Sequence, residues 1–203
     1  MNNLMDLIQN VLSNQEMDVL SKEVNASPQQ TEAASQSIIS VLLGALSKNA
    51  STDEGASSLN RALETDNHSS LLGNLFGLIT GGQQESNVKA SNGVGIVGHI
   101  LGDKAGFVVE SISKATGMDA GSIGTLLIKL APVVMAVLGK VKQDENLNEQ
   151  GVASVLRGTV EQNASSNPIF DFASKMLDQD GDGSIMDDIS NMGMKILGGF
   201  FKK

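Results

Sequence analysis

One block of sequence occurs twice in this chain, and any fold it adopts must house two versions of the same unit. Leu20-Ser21-Lys22 matches Ile112-Ser113-Lys114 at an offset of 92. At that offset Ser27 meets Asp119, while Val41, Leu46 and Lys48 meet Val133, Leu138 and Lys140 unchanged. Further on, the run from Glu54 to Arg61 resembles the run from Gln150 to Arg157 at an offset of 96, so four residues have been inserted. Asp66 and Ser70 meet Asp180 and Ser184 at 114, which places a further insertion around Glu161 to Phe170. Three blocks in one order point to an internal duplication.

Each unit reads as helices. Apolar residues recur at helical spacing and strand signals are nearly absent. Leu4, Leu7, Ile8 and Val11 form one stripe, and a second short helix is expected from about Glu16 to Val24. Ser27-Pro28-Gln29-Gln30 is a strong start signal, because Ser27 can cap, Pro28 suits the first helical position and Gln30 completes a capping box. The helix that follows carries Ile38, Ile39, Val41, Leu42, Leu43 and Leu46, so burial on most sides is expected. Ser51-Thr52-Asp53-Glu54 reads as a second capping box, opening a helix to about Leu63. Ser69 or Ser70 can cap another, carrying Leu71, Leu72, Leu75, Phe76 and Ile79. The expected fold is an all-α helical bundle of two diverged tandem repeats, able to pack on a pseudo-two-fold axis. Residues 1–80 form the first repeat, 81–93 a polar, glycine-rich linker, and 94–203 the second repeat. Pro132 stands where the first copy has Ser40, and a kink is expected there.

Composition narrows the function. Aromatic residues are 3% of the chain, with no Trp and no Tyr, so the core must be aliphatic and stacking rings for single-stranded nucleic acid are lacking. The net charge of -9 opposes binding to phosphate backbones. With no Cys, disulfides, thiolate metal sites and a thiol nucleophile are excluded. The N-terminus has no basic start and carries Asp6, unlike a signal peptide. The longest apolar run, residues 123–138, contains Lys129 and Pro132, which argues against a bilayer span. The expected location is the cytoplasm.

The sharpest motif lies near the C-terminus, in residues 178–189. Asp178, Asp180 and Asp182 take positions 1, 3 and 5 of a calcium loop, Gly183 takes position 6 and Ile185 position 8. Carboxylates on alternate residues of a tight turn point at one ion, and Gly183 permits the turn. The backbone carbonyl of Ser184 would add an oxygen, and all-oxygen ligation favours Ca2+. Position 12 is Ile189 in place of the usual bidentate Glu, leaving Asp187 and Asp188 as substitutes. The expected affinity is therefore weak, roughly 10⁻⁴ to 10⁻³ M. The same acidic residues also suit a solvated turn capping the next helix, with no ion needed. The first copy keeps a worn version, Glu64-Thr65-Asp66-Asn67-His68-Ser69-Ser70, that reads as a turn.

Other motifs weigh less. Gly93-Val94-Gly95-Ile96-Val97-Gly98 spells G-x-G-x-x-G, but no hydrophobic strand precedes it, and close packing of a short helix explains the glycines better. His99 has no partner in sequence, and no nucleophile elbow appears, so no catalytic residues are assigned. The segment from Ile185 to Phe201 is amphipathic. Phe200 and Phe201 are candidate contacts for a protein partner or self-association, or for a membrane surface.

The stretches VNASPQQTEAASQSIISVLLGALSKNAS, EGASSLNRAL and LLGNLFGLITGG, with GHILGDKAGFVVESISKATGMDAGSIGTLLIKLAPVVMAVLGK in the second half, resemble the bacterial DUF937 family, which overlaps the YidB-like group. The resemblance covers about Met17 to Lys142. It implies an all-helical cytoplasmic bacterial protein and supplies no activity. Members often carry D-x-D-G-S-hydrophobic-x-D-D after the third helix; here that place is the worn Asp66 to Asn74, and the intact version is Asp180 to Asp188. The combined expectation is a non-enzymatic interaction or assembly protein with a weak Ca2+ loop. A peripheral membrane protein and an enzyme with convergent carboxylates are the alternatives.

Overall fold

A computed structural model describes residues 3–65, 72, 73, 77, 79 and 92–164. Those residues are almost wholly helical: α1 (Leu4–Val11), α2 (Asn14–Glu23), α3 (Pro28–Asn49), α4 (Asp53–Thr65), α5 (Gly93–Leu101), a 3-10 turn (Gly102–Lys104), α6 (Ala105–Thr116), α7 (Ala120–Asp144) and α8 (Glu149–Ala164). No strand occurs among them.

The helix starts follow from short polar side chains. Asn3 caps α1 by accepting from the Met5 N–H at 3.0 Å. At α3 both arms of the expected box form: Ser27 Oγ accepts from the Gln30 N–H, and Gln30 Oε1 accepts from the Ser27 N–H. Asp119 caps α7, its Oδ1 accepting from the Ser122 N–H at 2.9 Å. The box expected at Ser51 does not form. Ser51 turns back instead, its N–H and hydroxyl both donating to the Lys48 carbonyl at 3.1 and 2.7 Å, which closes the end of α3. Thr52 then caps α4, accepting from the Gly55 N–H at 3.1 Å. Asn148 does the same for α8, accepting from Gly151 at 2.9 Å.

Two long helices, α3 and α7, make the centre and share the most extensive interface. Ile38, Val41, Leu42 and Leu43 of α3 are fully buried, as are Leu126, Leu130, Val133 and Val134 of α7. Buried Ser37 and Ser40 donate to the Ala33 and Gln36 carbonyls one turn back, so their hydroxyls need no outside partner. Around this pair α2 and α5 lie on α3, α5 and α6 on α7, and α4 against α8. The first helix α1 packs on α7 and α8, far ahead in the chain, burying Leu4, Met5 and Ile8. By length and composition α7 could cross a membrane, with a mean hydropathy of 1.9, but 67% of that window is buried in the bundle.

Polar ties fix the register of the outer helices. Lys129, mostly covered, pairs with Glu23 of α2 at 2.9 Å and also donates to the Ile79 carbonyl. Ser122 Oγ donates to the Val24 carbonyl at 3.1 Å. Asn49 Nδ2 donates to the Ile100 carbonyl at 3.0 Å, tying the end of α3 to the end of α5.

Pro132 lies inside α7, which continues through it. The ring carries no N–H, so the carbonyl of Ile128, one turn back, has no helical donor. Gly93, at the start of α5, rests on that carbonyl. A Cβ at Gly93 would lie 1.9 Å from Ile128 O, so only a residue without one fits. The close packing foreseen for this helix is thus real at Gly93, whereas Gly98 has open space beside it.

Candidate functional site

The residues assigned to metal, Asp178, Asp180, Asp182, Ser184, Asp187 and Asp188, lie outside the described residues, as do Phe200 and Phe201. Asp66, His68 and Ser69 of the worn first loop lie outside them too. Among the described residues no three His, Asp or Glu side chains gather where they could hold an ion.

Glu64, the first residue of the worn loop, is placed, and its work is structural. It sits on α4 and binds Lys142 of α7 at 2.9 Å, while Asn60 donates to it at 3.1 Å. The Lys142 hydrogen bond and charge, with help from Asn60, hold its carboxyl below the usual range. Asp119 is also held low, chiefly by the Ser122 hydroxyl and then by the Ser122 N–H. Both carboxylates are more stable ionised in the fold than in the open chain. Their contribution is fully present above the ordinary carboxylate pKa of about 4 and is lost as pH falls through the lower folded values. Acid titration of thermal stability should therefore show a decline beginning near pH 4. Glu64→Gln and Asp119→Asn together should flatten that decline while leaving stability at pH 7 lower than in the parent. An unchanged acid limb would show that neither group is linked to folding.

Two depressions flank the turn between α3 and α4. The wider, about 850 Å³, lies over α4 and α5; Leu46, Leu59, Ile96, Ile100 and Met135 form its apolar part, with Glu54 and His99 at its edge. The other, about 550 Å³, lies between α3, the start of α4 and α8. Lys48, Ser47, Thr52, Asp53, Ser154 and Arg157 give it polar walls, and Ala50, Ala153 and Val160 its apolar ones. A third, of about 320 Å³ and mostly apolar, separates α1 from the ends of α7 and α8. Sequence reasoning missed all three, since each is made by residues far apart in the chain. The G-x-G-x-x-G stretch forms the first turns of α5, with Asn92 as its cap.

Nothing among curated proteins or solved structures matches the chain. One family model does, described as a bacterial protein of unknown function, and it spans residues 6–141. That span reaches further toward the N-terminus than the resemblance in the sequence, taking in most of α1, and it stops within α7, short of the Asp-rich stretch. The chain therefore belongs to the DUF937 family of bacterial proteins of unknown function.

Proposed function

We propose that this protein is a non-enzymatic interaction or assembly protein of the bacterial cytoplasm, carrying a weak Ca2+ loop at Asp178, Asp180, Asp182, Ser184, Asp187 and Asp188. The observation that carries the reading is how the described bundle uses its polar groups. Its two perturbed carboxylates, Glu64 and Asp119, are held low by an inter-helix pair and a helix cap. The Ca2+ part rests on the alternating aspartates and Gly183. Bound there, the ion would set the angle of the last amphipathic segment and so present Phe200 and Phe201 to a partner or to a second copy.

The reading includes the two-repeat architecture, and local features at matched positions support it. Asn25 and Gly117 both take positive φ, at 50° and 71°, just after α2 and α6 and 92 residues apart. Ser27 and Asp119 cap the long helices at the same offset, and Thr52 and Asn148 cap α4 and α8 at an offset of 96.

Calorimetric titration with Ca2+ and Mg2+, beside Asp178→Ala/Asp180→Ala, tests the ion site. The expected result is saturable one-site Ca2+ heat in the range of roughly 10⁻⁴ to 10⁻³ M, lost in the variant. Silence up to several millimolar, about the weakest range for such loops, would reduce the aspartates to a helix cap. Flotation with liposomes, with and without Phe200→Asp, tests the rest: cosedimentation sensitive to that change would replace assembly by membrane attachment.

A further inference from the structure

The turn between α3 and α4 has the end of α8 on one side and the wider groove on the other. Val160, one turn before α8 ends at Ala164, lines the smaller cleft with Ser51, Thr52 and Asp53. Lys48, Ser51 and Thr52 border both that cleft and the groove over α4 and α5. The helix α8 therefore ends beside the groove, across a single turn of chain. Leu46, Leu59, Ile96, Ile100 and Met135 make the groove's floor, and each is at most 9% exposed. Such a floor is a seat for one ring, not a trough for a whole helix. Among the described residues the groove contains no Phe of its own, and the Met135 thioether favours contact with an aromatic ring.

Charge selects among the rings that could reach it. Glu54, exposed at the groove's edge, has no ion pair among the described residues, whereas Lys48 beside it is already engaged. The nearer rings, Phe170 and Phe172, flank Asp171, which Glu54 would repel. Phe200 and Phe201 are followed directly by Lys202 and Lys203, and the run from Ile189 to Lys203 contains three lysines and no acid. In a chain of net charge -9, that stretch suits an acidic edge. Reach is not limiting. Phe200 lies 36 residues beyond Ala164. A random coil of that length spans on the order of 30 Å, against roughly 24 Å for α8 itself.

We propose that the segment Phe200–Lys203 docks back on this groove, one phenylalanine ring against Met135 and Leu59 and the lysines toward Glu54. The inference rests on the reading of Phe200 and Phe201 as contact residues; docked in this way they are withheld from a partner until the seat is vacated. The full-length chain has no Cys, so a single pair can be introduced. Ser58→Cys at the groove's edge and Gly199→Cys beside the rings are joined by a short bismaleimide in dilute, Ca2+-free solution. Mass spectrometry then separates links within one chain from links between two. The expected result is a link within one chain, in yield well above that of Glu110→Cys/Gly199→Cys, whose exposed position on α6 is not among the groove's lining residues. Phe200→Asp/Phe201→Asp should lower the yield about tenfold, the scale of a lost buried ring, and Glu54→Lys should lower it severalfold. Equal yields at Ser58 and Glu110, or a yield indifferent to loss of the rings, overturns the proposal. Links found only between chains overturn it in favour of a second copy. Added Ca2+ judges the earlier reading separately. Release of the link by the ion supports ionic control of Phe200 and Phe201, and a link unmoved by it counts against that control whatever the groove does.

Discussion

Gly93→Ala should destabilise the bundle by about 2–3 kcal/mol, near the upper range for forced overpacking, although alanine is the better helix former. The added methyl would lie 1.9 Å from Ile128 O and 2.8 Å from both the carbonyl carbon and Cγ2 of Ile128. A side-chain tip could swing away from such a contact. A main-chain carbonyl in the central helix cannot, so the start of α5 must lift from α7. Replacing glycine in a helix gains at most about 1 kcal/mol, which the clash outweighs. Lifting α5 would also uncover Ile96, Val97, Ile100 and Leu101, all buried. Urea unfolding gives the loss, and hydrogen exchange should locate it in α5 and the middle of α7. The control is Gly98→Ala, where nothing lies within 4 Å. There the propensity gain stands alone, and stability should rise by several tenths to about 1 kcal/mol. Equal effects at the two glycines would sink the explanation.

Leu42→Ala should cost about 3–4 kcal/mol, within the range for a large-to-small change in a core. Leu42 has no exposed surface and sits on the helix at the middle of the bundle. Its neighbours there are aliphatic, and the α3–α7 contact holds both helices on their buried sides, so little can move in to fill the space. Leu42→Met, which nearly keeps the volume, should cost less than about 1.5 kcal/mol. Leu7→Ala, at a half-buried position on α1, should cost clearly less than Leu42→Ala. Denaturant midpoints with unchanged slopes would give all three values. A Leu42→Ala protein as stable as its parent would mean that α3 is not the centre of the core.

Local chemistry was legible where one signal dominated. Ser27, Pro28 and Gln30 agree with one another, and the box they spell is the box that forms. At Ser51-Thr52 two hydroxyls stand side by side, and either can cap. The choice falls to Thr52 because Ser51 is taken by the Lys48 carbonyl, a bond that belongs to the end of the previous helix. The helix after Ser13 begins at Asn14, slightly earlier than its apolar spacing implied. Pro132 was readable as a lost hydrogen bond. That Gly93 comes to rest on the carbonyl it frees was not, because thirty-five residues separate Gly93 from Ile128 and nothing local links them. The clefts share that character: Ala50 and Val160 carry no signal alone and come together only in the fold. The sharpest sequence motif, at Asp178 to Ile189, lies outside the described residues, so its chemistry is as legible as the sequence alone makes it.

The pairing of α3 with α7 also sets a timetable for the chain's birth on the ribosome. Roughly ninety-five residues separate the end of α3 from the end of α7. At about 5–20 residues per second, α3 waits on the order of 5–20 s before its partner has been made in full. Throughout that interval a helix buried on most sides lacks its most extensive partner and has only α2, and later α5 and α6, to cover it, while α1 itself awaits α7 and α8. The nascent first half is therefore a natural client for a holding chaperone, and translation speed across the intervening residues bears directly on how much of the protein reaches its folded state.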